Sequence, residues 1–143
     1  MRTDDDRFEG LSVTLLIQRR APGVIVLVIK GVDTGELGDA PFRALEGDLL
    51  GEEPIELFVD ARDTRGASVS VSSEWAVWLG RHRDRFRHIS MLTGSRFVKL
   101  TADFVRRFAE LGDLMRIYTD PAAFDGALSN AIGNAGSHDP VLY

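Results

Sequence analysis

Between Asp60 and Ser73 lies the densest concentration of usable chemistry in the chain. Asp60 closes the apolar stretch Leu57-Phe58-Val59, and Ser68, Ser70 and Ser72 follow Gly66 just ahead of a helical pattern. A carboxylate at the carboxyl end of a strand, followed by hydroxyls beside free helix N–H groups, can hold an anion, a carboxylate or a phosphorylated side chain. The same residues also have a purely structural use, with one serine capping the helix and Asp60 bonded to backbone amides. Thr64, Ser68, Ser70 and Ser72 are the candidate phosphoacceptors of this segment.

Nucleophilic catalysis needs a hydroxyl within reach of a base. His82, His88 and His138 are the only histidines, and no Gly-x-Ser-x-Gly elbow is present. A serine hydrolase built on Ser68 or Ser70 with His88 is therefore a third-ranked reading. His82 falls on an apolar helical stripe, as a core or boundary residue does. With no cysteine, disulfides, thiolate nucleophiles and Cys-ligated zinc or iron–sulfur sites are excluded. The segment from Asp33 to Asp39 lacks the alternating acidic positions and terminal Glu of a calcium loop and reads as a solvated acidic loop. Phosphate-cradling glycine motifs are missing as well. No cofactor, metal or catalytic set is expected. Arg81, Arg83, Arg85 and Arg87 are spaced by two, which scatters them around a helix end instead of forming a stripe.

The elements that must position these groups follow from length and patterning. A chain of 143 residues, 44% apolar and 27% charged, suits one globular domain. Its net charge of −5 argues against a general affinity for nucleic acid or acidic lipid. The run Val24 to Ile29 is far shorter than the ~20 residues of a membrane span. Met1-Arg2-Thr3-Asp4-Asp5-Asp6 has the pattern of neither a signal nor a transit peptide, so a cytoplasmic location is expected. Residues 1–9 read as a flexible lead, 10–133 as the domain and 134–143 as a tail.

Leu11 to Gln18 alternates with the period of a half-buried strand, and Ala21-Pro22-Gly23 turns into the apolar run Val24 to Ile29. A short helix is expected over Asp39 to Leu50. Strands at Ile55–Asp60, Ile89–Leu92 and Leu114–Tyr118 then alternate with three helical patterns, and Ala61 to Gly66 reads as a loop with a tight turn at Gly66. Val71, Trp75, Trp78, Leu79, His82 and Phe86 line the first of these helices. Phe97, Thr101, Phe104, Phe108 and Leu111 line the second as its core stripe, and Phe124, Ala127, Leu128, Ala131 and Ile132 line the third. A hairpin followed by three βα units predicts a mixed, mostly parallel five-stranded sheet. Leu57, Val59, Ile89, Met91, Met115 and Ile117 share one sheet face, whereas Phe58, Asp60, His88, Ser90, Leu92, Arg116 and Tyr118 share the other. The half-polar second face predicts helices mainly on one face, with the reverse partly open.

This order of elements resembles the SpoIIAA-like fold of bacterial STAS-like proteins. The residues carrying the resemblance are Leu57-Phe58-Val59-Asp60, the stretch Ala61-Arg62-Asp63-Thr64-Arg65-Gly66, the helix end Arg83-Asp84-Arg85-Phe86, and Met115-Arg116-Ile117-Tyr118 leading into Pro121-Ala122-Ala123-Phe124. The resemblance implies a small α/β module acting through a protein partner or through itself, and in phosphorylated relatives a modified Ser beside an Asp. Here Asp63-Thr64-Arg65-Gly66 has Thr in place of Ser and follows Asp60 closely.

The leading reading is thus a non-enzymatic interaction module for a protein partner or a homo-oligomer. Its candidate binding residues are Asp60, Arg62, Thr64, Gly66, Ser68, Ser70, His88, Arg116 and Tyr118. The alternative is a binding module for a small apolar or anionic ligand, held between helices and sheet.

Overall fold

In the computed structural model, the described residues, 5–136, form one six-stranded sheet and four α-helices. His138 and the rest of the expected tail beyond Gly136 lie outside the described residues, as do residues 1–4. The strands are β1 (Asp6–Glu9), β2 (Val13–Ala21), β3 (Val24–Asp33), β4 (Ile55–Ala67), β5 (Phe86–Thr93) and β6 (Met115–Tyr118). The helices are α1 (Ala40–Asp48), α2 (Val69–Arg81), α3 (Arg96–Phe108) and α4 (Pro121–Gly136). Strand order follows the chain from β1 to β6; the first two pairings are antiparallel and the last three parallel.

The strand count exceeds the expected five because residues 6–9 are not a flexible lead. Asp6 pairs with Ile17 and Glu9 with Thr14, making an edge strand. Its charged residues conceal it, since only Phe8 packs against the core. Charged side chains are what an edge strand needs to resist pairing with another chain. Arg19 of β2 fastens this edge. Its nearly fully buried side chain makes a bidentate pair with Asp48 at 2.9 and 2.8 Å and a third contact with Asp6 at 2.8 Å. These hydrogen bonds, with Asp48 the largest influence, raise its pKa further above the ordinary arginine value.

α1, α2 and α3 cover one sheet face. Leu57, Val59, Ile89, Met91, Met115 and Ile117 all pack in that core, as their alternation predicts. Phe42 of α1 packs against Trp75 and Trp78 of α2 with ring centres 4.6 and 5.5 Å apart. The Trp78 indole N–H donates to Glu46 at 2.9 Å. His82 caps α2 at its C-terminal end, half-buried, its Nδ1 2.9 Å from the Trp78 carbonyl. Phe86, expected in α2, instead begins β5, because a 3-10 turn over Arg83–Arg85 ends the helical path.

The second face departs from expectation. α4 lies across it, burying Val24, Val26, Phe58 and Leu92 beneath Phe124 and Ala131. Phe124 is fully buried and meets Phe58 and Tyr118 edge-on, both at 5.8 Å. Burying such a side chain stabilises the packing by roughly 1.5–3 kcal/mol. The apolar residues of this face lie beneath α4 with Ser90 buried beside Phe58, while His88 and Arg116 are exposed. The mixture that predicted an open surface is therefore a covered centre with a polar margin.

The core stripe of α3 also differs. Val98, Ala102 and Val105 face inward, whereas Phe97, Phe104 and Phe108 are exposed. Small inward residues let α3 approach α2 closely. A Cβ on Gly80 of α2 would stand 3.5 Å from Ala109, at the end of α3. Three bulky rings would hold the two helices apart.

Candidate functional site

β4 runs on to Ala67, so the segment expected to be a loop is strand. Asp60 and Arg62 stay together on this strand, whereas Thr64 and Gly66 lie past a slip in its pairing. The pairing of β3 with β4 slips between Val28 and Lys30, opposite Asp60 and Asp63, where β4 holds one extra residue. Such a bulge reverses which side chains face which side. Gly66 is buried and paired with Val32, and it makes no tight turn.

On the α4 side, Asp60 accepts from the Arg62 backbone N–H at 3.2 Å and from its Nε at 2.9 Å. Arg62 Nη2 reaches Asp125 of α4 at 2.7 Å. These two carboxylates, Asp60 foremost, raise the Arg62 pKa. The trio ties α4 to the sheet. Tyr118 packs on Phe124, which leaves His88 and Arg116 as the exposed members of the expected surface. His88 Nδ1 lies 3.3 Å from Glu56 near the amino end of β4. Ser68 and Ser70 follow the other end of β4. The eleven residue steps from Glu56 to Ala67 span roughly 36 Å at about 3.3 Å each. The Ser–His pair that hydrolysis requires is not formed.

Thr64 belongs to the opposite side of the sheet. It is 8% exposed, and its hydroxyl donates to the Ile29 carbonyl at 2.7 Å. Ser68 caps α2 by accepting from the Val71 N–H at 3.2 Å. Ser72 is buried and donates to the Ser68 carbonyl at 3.0 Å. Among the four candidate phosphoacceptors, Ser70 is the exposed one.

Thr64 and Ser72 border a cavity of about 80 Å³ between the sheet, α2 and α3. Its floor is Leu57, Val59, Ile89 and Met91, and its walls include Trp75 and Leu79 on α2 with Ala102 and Val105 on α3. The half-buried Ile29, Ala67, Trp75, Met91 and Thr101 mark where it meets solvent. Its polar side chains are Asp33, Thr64, Ser72 and Thr101. Asp33, expected in a solvated loop, is buried at the end of β3 and accepts from the Gly35 N–H at 3.0 Å. The Thr101 hydroxyl donates to the Phe97 carbonyl at 3.3 Å. All three hydroxyl protons are thus committed to backbone carbonyls. What these four side chains offer a guest is acceptor capacity alone, and the half-buried Trp75 indole N–H is the one side-chain donor among the lining residues.

Nothing in the alternation of β4 revealed this cavity, because Thr64 reaches it only through the bulge. Asp33 and Thr101 were missed for a different reason: one sits in an acidic stretch and the other among phenylalanines. Among the described residues, no group of three or more His, Cys, Asp or Glu could hold a metal ion. No described helix is long and apolar enough to cross a membrane.

Among solved structures, the chain matches an uncharacterized protein of the DUF3478 family with a SpoIIAA-like fold from Shewanella loihica PV-4. The TM-score is 0.57 at 17% identity, covering 85% of this chain and 98% of that one. The fold is SpoIIAA-like. No family model matches the chain, and no curated protein does. At this identity the likeness concerns architecture. On the SpoIIAA-like scaffold, the cavity lies toward the carboxyl ends of the parallel strands β3, β4 and β5, where open α/β sheets tend to place ligands.

Proposed function

We propose that this SpoIIAA-like chain is a non-enzymatic binding module. In this reading the space between the sheet, α2 and α3 takes a small apolar molecule ending in a hydrogen-bond donor. One observation carries the reading: an apolar cavity whose buried polar side chains, Asp33, Thr64 and Ser72, can only accept. An anionic end group would meet the Asp33 carboxylate with no cationic side chain in the lining to compensate, so the neutral form of the small-ligand alternative is favoured. The cavity is about half the ~150 Å³ that holds a benzene ring, a size that favours the end of an alkyl chain. A protein partner on the reverse face is less well supported, because α4 takes the central apolar surface such a partner would use.

Trp75 lines the cavity, so its emission reports occupancy directly. Titrating the full chain with 1-hexanol is expected to give a saturable change, while hexanoate at equal concentration gives none. A non-saturable response to the alcohol, or equal responses to both, would overturn the proposal.

A further inference from the structure

Four large apolar side chains of α3 point away from the core: Phe97 at 66% exposure, Leu100 at 64%, Phe104 at 40% and Phe108 at 58%. They recur at three- and four-residue steps and form one ridge, with the Phe104 and Phe108 rings stacked at 5.5 Å. Beside Leu100 on the helix surface lie Arg96 and Arg107, both exposed. Lys99 and Arg106 follow further round, each 3.3 Å from Asp103. Charge is unevenly distributed along the whole chain. Eight of its 17 basic residues, but two of its 22 acidic ones, fall between Arg81 and Phe108. That stretch carries +6 against −11 for the remainder.

We infer that α3 is a docking helix for an anionic bilayer surface, with the phenylalanine ridge entering the headgroup boundary and Arg96 and Arg107 meeting lipid phosphates. A protruding aromatic ridge bordered by cations is the pattern of a helix lying in the interfacial plane. Charge selects this occupant over a second copy of the chain. A two-fold pairing of α3 with itself would bring Arg96 toward the partner's basic end, setting like charges against each other. Thr101 sits within the same arc of α3 as Phe97 and Phe104 and also borders the cavity, so a docked α3 would bring the cavity's edge near the bilayer. The inference does not depend on that cavity holding a ligand.

Co-sedimentation of the full chain with vesicles tests it. Binding is expected to vesicles of phosphatidylcholine with 30% phosphatidylglycerol, and to be at least tenfold weaker with phosphatidylcholine alone. R96Q and R107Q should each weaken binding to the anionic vesicles by roughly fivefold, the effect of one surface cation. F104S combined with F108S should abolish it. Those rings are exposed, so the double variant is expected to keep its circular dichroism spectrum, and the arginine variants provide a separate reading should it not. Absence of binding to anionic vesicles, or binding unchanged by R96Q and R107Q, overturns the inference. So does a dimer in light scattering that F104S dissociates, since the ridge would then be a contact between copies. The hexanol titration in lipid-free solution reads the cavity separately.

Discussion

Replacing Ala102 by Leu tests whether the space under α3 is real and whether it is used. Ala102 is buried in mid-helix and borders the cavity. Both residues are strong helix formers, so the backbone term is small. If the site were ordinary close-packed core, three extra carbons would force neighbours off their rotamers and cost about 1–3 kcal/mol. With about 80 Å³ available the sign reverses. At about 24 cal/mol per Å³ of cavity, filling it recovers up to about 2 kcal/mol. Contact with solvent at Thr101 and Trp75 lowers this, leaving an expected gain of about 1 kcal/mol, or a rise in Tm of roughly 3–4 °C for a domain of this size. The measurement is thermal unfolding followed by circular dichroism, paired with the hexanol titration read at Trp75. A102L should melt higher than the parent and lose the saturable response. A drop of more than 1 kcal/mol would show that the space is not there. A rise in stability with hexanol binding intact would show that the guest sits elsewhere.

Other perturbations address what holds the site in place. Arg19→Ala strands the Asp48 carboxylate and frees the β1 edge, and chemical denaturation is expected to show a loss of about 3–5 kcal/mol. Asp125→Asn removes a half-exposed partner of Arg62 and should cost no more than about 1 kcal/mol, with amide exchange quickening mainly in α4. Gly94→Ala would drive a Cβ into the Arg62 carbonyl, backbone against backbone, so soluble yield and Tm should both fall sharply. Glu36 accepts from the Ser12 hydroxyl and from the Leu11 and Ser12 backbone N–H groups, and the hydroxyl bond is the largest influence lowering its pKa. A lowered folded-state pKa means that the tie is fully present above the ordinary glutamate range and is lost as pH falls through the folded value. The Leu11 and Ser12 amide resonances should therefore titrate with a midpoint below 4.5, and E36Q should abolish that titration.

The sheet order, the helix positions and the first core face were legible because they rest on local periodicity. Leu57, Val59, Ile89 and Met91 alternate in register, and Asp120 with Pro121 announces the start of α4. What failed depended on non-local facts. The stripe Phe124, Ala127, Leu128, Ala131 and Ile132 was visible, but not which sheet face would receive it, since Ser90 and then Arg116 follow Phe58 in register across β5 and β6. Thr64 was grouped with Asp60 in one loop segment, because the charged stretch Arg62-Asp63-Thr64-Arg65 shows neither a strand period nor the bulge that interrupts it. The edge strand Asp6–Glu9 has one core residue and three charged ones, too few for a period to register. Ser68 alone among the candidate hydroxyls kept a role readable from position, that of the helix cap.

The cavity and the ridge follow from one local choice in α3. Two apolar rows run along this helix, Val98, Ala102 and Val105 beside Phe97, Phe104 and Phe108. A helix selected for stability alone would turn the larger row inward, where each ring would gain roughly 1.5–3 kcal/mol by burial. Here the smaller row faces the sheet. The space it leaves unfilled is the cavity, and the rings displaced outward are the ridge. Sequences depart from the best packing mostly where function requires it. On that ground α3 with its underfilled seam, and not the polar margin around His88 and Arg116, is where this chain's activity is to be sought. The substitutions separate its two halves: A102L should close the seam without touching vesicle binding, and F104S with F108S should remove vesicle binding while leaving the hexanol response in place.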